Sequence, residues 1–278
     1  MSHDRDAPAP GAPAPAGNPG PGTGPGPGHD AVAADVVRRW RGLAPGTVLL
    51  DGFHALKHAL RFGAEVPLAL TEDRDRALAL AADLAPDLSG ALAALLRPVP
   101  SGTLAGLVAR PHPTGVAALA VRGSGQAAAL RAEGPRAAPL VVLDDPRHLG
   151  NIGAVIRVAA GCGASGVLTT GTVDPWHPNV LRASAGLHFA TAVERRSVAD
   201  LPAGPLYALD PDGADLRTRT LPDDALLAFG SERRGLSPEL RARADHVVSL
   251  PMRPLVSSYN LATSVAITLY HWLARTAD

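Results

Sequence analysis

The sequence predicts an α/β protein whose C-terminal half is a parallel sheet covered by helices, preceded by a smaller α/β unit. Three observations carry that expectation. Between Pro139 and Pro251 the apolar runs "PLVVLDD", "GVLTT", "PLYALD", "ALLAFG" and "HVVSLP" alternate with helical segments, the pattern of parallel strands buried on both faces. A shorter alternation of helix and strand signals runs from Asp30 to Arg122. Ahead of both, residues 1–29 are rich in Pro, Gly and Ala. They hold too little apolar surface to offset an ordering cost of about 1–2 kcal/mol per residue, so a disordered tail is expected.

Taken in order, "AVAADVVRRWRGL" and "DGFHALKHALRFG" have helical spacing, the second closing at a glycine. "PLALTE" reads as a short strand, "DRDRALALAADL" as a helix and "TGVAALAVR" as a further strand. Residues 123–138 have linker composition with room for one helical turn. Residues 139–278 then form the larger domain. Within it, "LSPELRARA" opens as a helix should, with Ser237 to cap and Pro238 at the first helical position. "NLATSVAITLYHWLARTA" sets Leu261, Val265, Leu269, Trp272 and Leu273 along one face, to pack on the sheet or on a second subunit.

Composition excludes several classes. The 278 residues are 46% apolar with a formal net charge of zero, so the overall field points to no polyanionic partner. Lys57 is the only lysine and the other basic residues are arginines, a bias that GC-rich codons explain without invoking function. The single cysteine, Cys162, excludes an intramolecular disulfide and a cysteine-rich zinc site; it is expected to be a small packed residue. No apolar run approaches the roughly 18 residues that would span a bilayer, and the N-terminus shows no signal-peptide pattern. A cytoplasmic protein without a membrane segment is therefore expected.

The stretch "LDDPRHLGNIGAVIRVAAGCGASGVLTT" contains a literal G-x-G-x-x-G at Gly161, Gly163 and Gly166. A dinucleotide-binding turn needs those glycines after a strand and before a helix. Here they follow a helix and precede a strand, so they end the helix, and a nicotinamide-dependent enzyme is disfavoured. The helix that does follow a strand starts near Asn151. Asn151 can satisfy free backbone groups, Gly153 permits a close approach, and Arg157 lies one turn beyond on the same face. Two further segments sit at predicted strand ends: "FGSERRGLS", with Gly230, Glu232 and Gly235, and "LPMRPLVSSYNLATSVA", with Pro251, Met252, Ser258 and Asn260. Ligands of open parallel sheets bind beyond the carboxyl ends of strands, so the three segments are expected to converge on one cleft.

At these residues the sequence resembles the SpoU (TrmH-like) family of RNA ribose 2′-O-methyltransferases. The family motifs N-x-G-x-x-x-R, G-x-E-x-x-G, and P-M followed by S-L-N appear in order. They fall at Asn151–Arg157, Gly230–Gly235, and Pro251-Met252 with Ser258-Tyr259-Asn260. "VLRASAGLHF" is similar to the family's link between the first two motifs, and the likeness covers roughly Pro139 to Ala274. Tyr259 departs from the usual leucine, and Arg233 and Arg234 stand where smaller residues are common. "LLDGFHALKHAL" and "HPTGVAALA" resemble the small, L30e-like RNA-substrate-binding domain that often precedes the catalytic one.

The resemblance implies a SPOUT-type trefoil knot, which general folding rules would never suggest. It implies S-adenosylmethionine as methyl donor with no metal, RNA as substrate (ribosomal ahead of transfer), and a homodimer that completes the active site. The donor would be held around Gly230, Leu250 and Tyr259, with Thr169, Met252 and Leu261 as neighbours. Arg157 would activate the 2′-hydroxyl, as general base or as stabiliser of the developing oxyanion. A guanidinium remains protonated below a pKa of about 12, which favours the second role. Asn151 and Asn260 would shape the site, with Glu232 and Ser258 orienting Arg157 or the ribose. A catalytically inactive RNA-binding member of the same fold is the competing reading.

Outside the motifs, His54 and His58 have the i, i+4 spacing of a metal pair, but no third ligand is evident. An RNA-facing or surface role is the simpler expectation for both, and His148 reads as a loop histidine. The doublets Arg38-Arg39, Arg195-Arg196 and Arg233-Arg234 are candidate phosphate contacts, with the last best placed because its motif should line the cleft.

Overall fold

The computed structural model describes residues 27–123, 130 and 134–274. The expected tail lies outside them except for Pro27–His29, which already belong to the first helix, and so does most of the expected linker. The N-terminal unit runs α1 (Pro27–Leu43), β1 (Val48–Asp51), α2 (Phe53–Arg61), β2 (Leu68–Thr71), α3 (Arg74–Leu84), α4 (Ser89–Leu95), β3 (Leu96–Pro98) and β4 (Val116–Ala120). Its sheet has the order β1-β4-β2-β3. β4 pairs antiparallel with both neighbours, and β2 pairs parallel with β3.

The C-terminal unit runs β5 (Leu140–Leu143), α5 (Leu149–Gly161), β6 (Gly166–Thr169), α6 (Pro178–Ala183), β7 (Ala192–Arg195), β8 (Leu206–Asp215), β9 (Leu226–Phe229), α7 (Pro238–Arg243), β10 (His246–Ser249) and α8 (Leu261–Ala274). All six strands are parallel, in the order β10-β8-β9-β5-β6-β7. Central β5, β6 and β9 are buried at every position, as strands covered on both faces must be. Ser237 caps α7 by accepting from the Leu240 N–H at 3.3 Å. Leu261, Val265, Leu269 and Trp272 of α8 are buried, each worth about 1.5–3 kcal/mol of apolar transfer. Among the described residues no helix is long and apolar enough to cross a membrane.

The glycine triplet does what its order in the chain requires. α5 ends at Gly161, Gly163 takes φ 72°, and Gly166 opens β6, where a Cβ would come within 2.8 Å of the Ala192 carbonyl. Three strands lie where the sequence signal is weak. β1 precedes the helix that was expected to begin at Asp51, while β3 and β7 are edge strands with exposed residues at their ends.

The two units share one apolar core, with Leu50, Phe53 and Leu56 on one side and Val141, Ile152 and Val180 on the other. The seam is polar and specific. Arg182 of α6 donates to the buried Asp51 carboxylate and to the Arg110 carbonyl, and Asp51 also accepts the His112 N–H at 3.0 Å. His58 Nδ1 donates to the Ala185 carbonyl at 2.8 Å. Gly186, at φ 76°, leaves room for α2: a Cβ there would lie 2.6 Å from the Ala55 carbonyl.

Behind this seam His188 is fully buried against Trp176, with 4.9 Å between ring centroids. Its Nε2–H donates to the Pro175 carbonyl and its Nδ1 accepts from the Ser184 hydroxyl, both at 2.8 Å. Burial pushes the ring down to about 4, with the Pro175 carbonyl offsetting only part of the effect. The unfolded chain therefore binds the extra proton first. Stability from this group is present above about 6.5 and is lost as pH falls through about 4, a change on the order of 3 kcal/mol. Urea unfolding should show the midpoint dropping across that window, with a flatter slope in His188→Gln.

Candidate active site

The site is assembled at the carboxyl ends of β5, β9 and β10. Behind it, the buried Asp144 carboxylate accepts from the Thr170 hydroxyl at 2.7 Å and from the Ser237 N–H at 2.6 Å. One side chain thereby ties the ends of β5 and β6 to the loop after β9. Sequence reasoning passed over Asp144, although the carboxylate pair closing "LVVLDD" was its signal. That loop folds back on itself: Ser231 and Gly235 exchange backbone hydrogen bonds of 2.9 and 3.0 Å, with Gly235 at φ 67°. Gly230 makes the turn possible, since a Cβ there would approach the Gly235 Cα to 2.6 Å.

In front, Asn151 joins the three motif segments. Its Nδ2 donates to Glu232 Oε1 at 2.9 Å, and its Oδ1 accepts from Asn260 Nδ2 at 3.2 Å. Asn260 in turn accepts the Ala262 N–H at 2.9 Å, satisfying a free donor at the start of α8. Partial burial pushes the Glu232 carboxyl up. Hydrogen bonds from Asn151 and from the Glu232 and Arg147 backbone, with His148 nearby, outweigh it and hold the group below its ordinary value.

These contacts border a cavity of about 460 Å3 whose apolar walls include Phe229, Leu250 and Leu261. Gly230, Glu232, Met252, Ser258, Tyr259 and Asn260 also line it, and the Tyr259 hydroxyl donates to the Pro251 carbonyl at 3.4 Å. The volume suits a nucleoside-sized ligand.

Two residues singled out in the sequence are not there. Thr169 ends β6, two strands away from β9 across β5, and is completely buried; it is a core residue of this unit, not a wall of the cavity. Arg157 is exposed and does not line the cavity of its own chain. It lies six residues beyond Asn151 on α5, about 9 Å along the axis. Among the described residues its guanidinium has no hydrogen-bond or ion-pair partner. Gly153 sets the course of that helix, because a Cβ there would lie 2.6 Å from the Val180 carbonyl and 2.9 Å from the Ser184 nitrogen.

The histidine pair divides. His58 is committed to the seam through Ala185, whereas His54 is exposed. Cys162 is half-buried and follows α5, and burial pushes its thiol up. Of the arginine doublets, Arg233 lines the cavity, Arg195 donates to the Thr172 carbonyl, Arg196 pairs with Glu194, and Arg38 pairs with Asp35.

Residues 138–270 match the SpoU rRNA Methylase family. The chain is 33% identical over 163 residues to an uncharacterized tRNA/rRNA methyltransferase of Synechocystis, covering 52% of this chain and 58% of that protein. It is 33% identical over 145 residues to the 23S rRNA (uridine(2479)-2′-O)-methyltransferase of Streptomyces viridochromogenes, covering 47% and 50%. It thus spans about half the length of these curated relatives. Among solved structures, an RNA 2′-O ribose methyltransferase superposes with a TM-score of 0.65 at 28% identity, over 88% of this chain and 94% of that one. The SpoU methyltransferase AviRb of Streptomyces viridochromogenes, in complex with AdoMet, gives a TM-score of 0.68 at 24% identity over 86% and 97%, a likeness of fold.

Asn151→Ala removes the donor to Glu232 and the acceptor for Asn260 together. The Glu232 carboxyl should then titrate at higher pH by NMR, and backbone amides of residues 251–260 should exchange faster. An unmoved Glu232 titration would mean the bridge is absent in solution.

Proposed function

We propose that this chain is a cytoplasmic, S-adenosylmethionine-dependent RNA ribose 2′-O-methyltransferase that acts on ribosomal RNA. The observation that carries the reading is the Asn151 amide bridging Glu232 and Asn260 at the mouth of a cavity walled by Gly230 and Leu250. The names of the relatives above support the substrate class.

The residues present fit such a donor. Gly230 lets the loop after β9 fold back against itself at the cavity wall, Leu250, Leu261 and Met252 supply apolar wall, and Tyr259 covers one side. When bound, the donor supplies a methyl carbon on a positively charged sulfur, an electrophile that needs no metal. The chain's task is positioning and charge stabilisation. Arg157 carries a fixed positive charge for the developing 2′-oxyanion, while Glu232 and Ser258 orient the ribose. A trefoil knot through the segment after β10 belongs to the same proposal. The N-terminal unit, residues 30–122, would grip the RNA.

Because Arg157 stands outside its own cavity, the reaction centre is completed between two copies. α5 and α8 pack together, with Arg157 exposed on the first and Ile267 and Tyr270 on the second, the last 70% exposed. A homodimer through these helices would bring Arg157 of one copy toward the donor site of the other. Tyr270→Arg should convert a dimer to a monomer in sedimentation and abolish methyl transfer; a monomeric, active wild type would refute the pairing.

The central test is calorimetry with S-adenosylmethionine alongside methyl incorporation into ribosomal RNA, with the modified nucleotide mapped. Arg157→Ala should reduce turnover by about 10²-fold or more while donor affinity stays within about twofold. Donor binding with no incorporation would favour an inactive RNA-binding protein, and no donor binding would end the reading.

A further inference from the structure

Aromatic residues are scarce in this chain, with 3 Trp, 3 Tyr and 4 Phe, and nearly all are buried in packing. Only Phe62, Tyr259 and Tyr270 leave their rings exposed. Phe62 follows α2, and Tyr270 lies on α8, where the dimer is proposed to form. Tyr259 alone of the three lines the cavity of the candidate site.

Its surroundings are those of a rim that a second ligand would meet. The segment after β10 is exposed at every position from Arg253 to Asn260. Within it Leu255, Val256 and Tyr259 leave apolar surface in water, Tyr259 with 39% of its area. The ring is nevertheless anchored. Its hydroxyl donates to the Pro251 carbonyl at 3.4 Å, and the next residue, Asn260, is tied to Asn151 and accepts the Ala262 N–H. Across the same cavity stands Arg233, on the loop after β9. It is exposed, and among the described residues its guanidinium has no hydrogen-bond or ion-pair partner.

The volume decides what is left for this rim. About 460 Å3 holds one nucleoside-sized ligand, not two. A donor seated against the buried Phe229 and Leu261 fills it. The RNA nucleotide must then approach where the exposed ring and the free guanidinium stand. A flat aromatic face and an arginine are the groups with which proteins hold an unstacked base and its phosphate.

We propose that Tyr259 is the platform on which the base of the target nucleotide stacks, with Arg233 contacting a phosphate, so that the substrate is an unpaired nucleotide. This rests on the methyltransferase reading above. Stacking fixes the plane of the base and, through the glycosidic bond, the direction in which the 2′-hydroxyl faces the methyl carbon. Leucine, the usual residue of the family motif at this position, offers apolar wall but no flat face. The platform is thus a property of this chain's own departure from that motif.

The test uses the full chain saturated with S-adenosylhomocysteine and a ribosomal RNA fragment carrying the mapped nucleotide, either intact or abasic at that position. The wild type should bind the intact fragment about tenfold more tightly than the abasic one. Tyr259→Leu should bind both alike, at the affinity the wild type has for the abasic fragment. Tyr259→Phe, which keeps the ring, should retain the preference within about threefold. Donor affinity by calorimetry and melting should be little changed in both variants. Arg233→Ala should weaken both fragments equally and flatten the salt dependence of binding; wild-type RNA affinity in that variant would remove the phosphate contact. If the wild type does not distinguish the fragments, if Tyr259→Leu keeps the preference or loses donor affinity instead, or if Tyr259→Phe fails as leucine does, the ring is not the platform and the methyltransferase reading stands. If the wild type binds no donor and transfers no methyl group, both fall.

Discussion

The arrangement at the sheet's carboxyl edge depends on one side-chain amide. Asn151 gives a hydrogen to Glu232 and takes one from Asn260, and that pairing needs a group that is donor and acceptor at once. Aspartate would have nothing to donate and would set a second carboxylate against the first. The amide can reach both partners only because α5 begins where β5 ends and runs close over α6. Gly153 sets that approach, with the Val180 carbonyl where a side chain would be. Asp144 restrains the same loops from behind through Thr170 and Ser237. Three chain segments separated by up to 109 residues are thus held from two sides.

That scaffold explains why the cavity and the guanidinium are apart. A helix that starts at the cavity mouth carries its seventh motif residue about 9 Å away along the axis, by rise alone. The motif N-x-G-x-x-x-R here puts Asn151 at the mouth of its own chain's cavity and Arg157 outside it. Its wide spacing makes sense if the arginine serves a neighbouring copy. α8, which packs against α5, leaves Ile267 and Tyr270 exposed.

How much of this could be read from the residues follows from the range of the forces involved. β5, β6 and β9 announce themselves because strands in the interior of a parallel sheet must be apolar throughout. β3 and β7, at sheet edges, carry no such requirement, and "AVER" gives little away. The motif glycines were legible because each answers to a local backbone need. Asn151, expected to satisfy free backbone groups at a helix start, lies inside a helix that begins at Leu149 and gives its amide to Glu232 and Asn260 instead. That Thr169 does not line the cavity follows from strand order, and a β5-β6 neighbourhood is not encoded in any short stretch. The seam was illegible for the same reason. His58 meets Ala185 across 127 residues, and Arg182 meets Asp51 across 131.

The seam in turn decides what kind of partner the N-terminal unit is to the C-terminal one. Asp51 is buried, and its charge is tolerable only because Arg182 and the His112 N–H answer it. Removing Arg182, itself partly exposed, would leave the Asp51 carboxylate buried without its counter-charge, the kind of loss that typically costs about 3–5 kcal/mol. A unit attached by a greasy patch could slide or swing. One attached by a buried carboxylate, a carbonyl-directed imidazole and a glycine moulded to a helix has a single register. α2 is then held at a fixed place relative to α5 and the strand ends that frame the cavity.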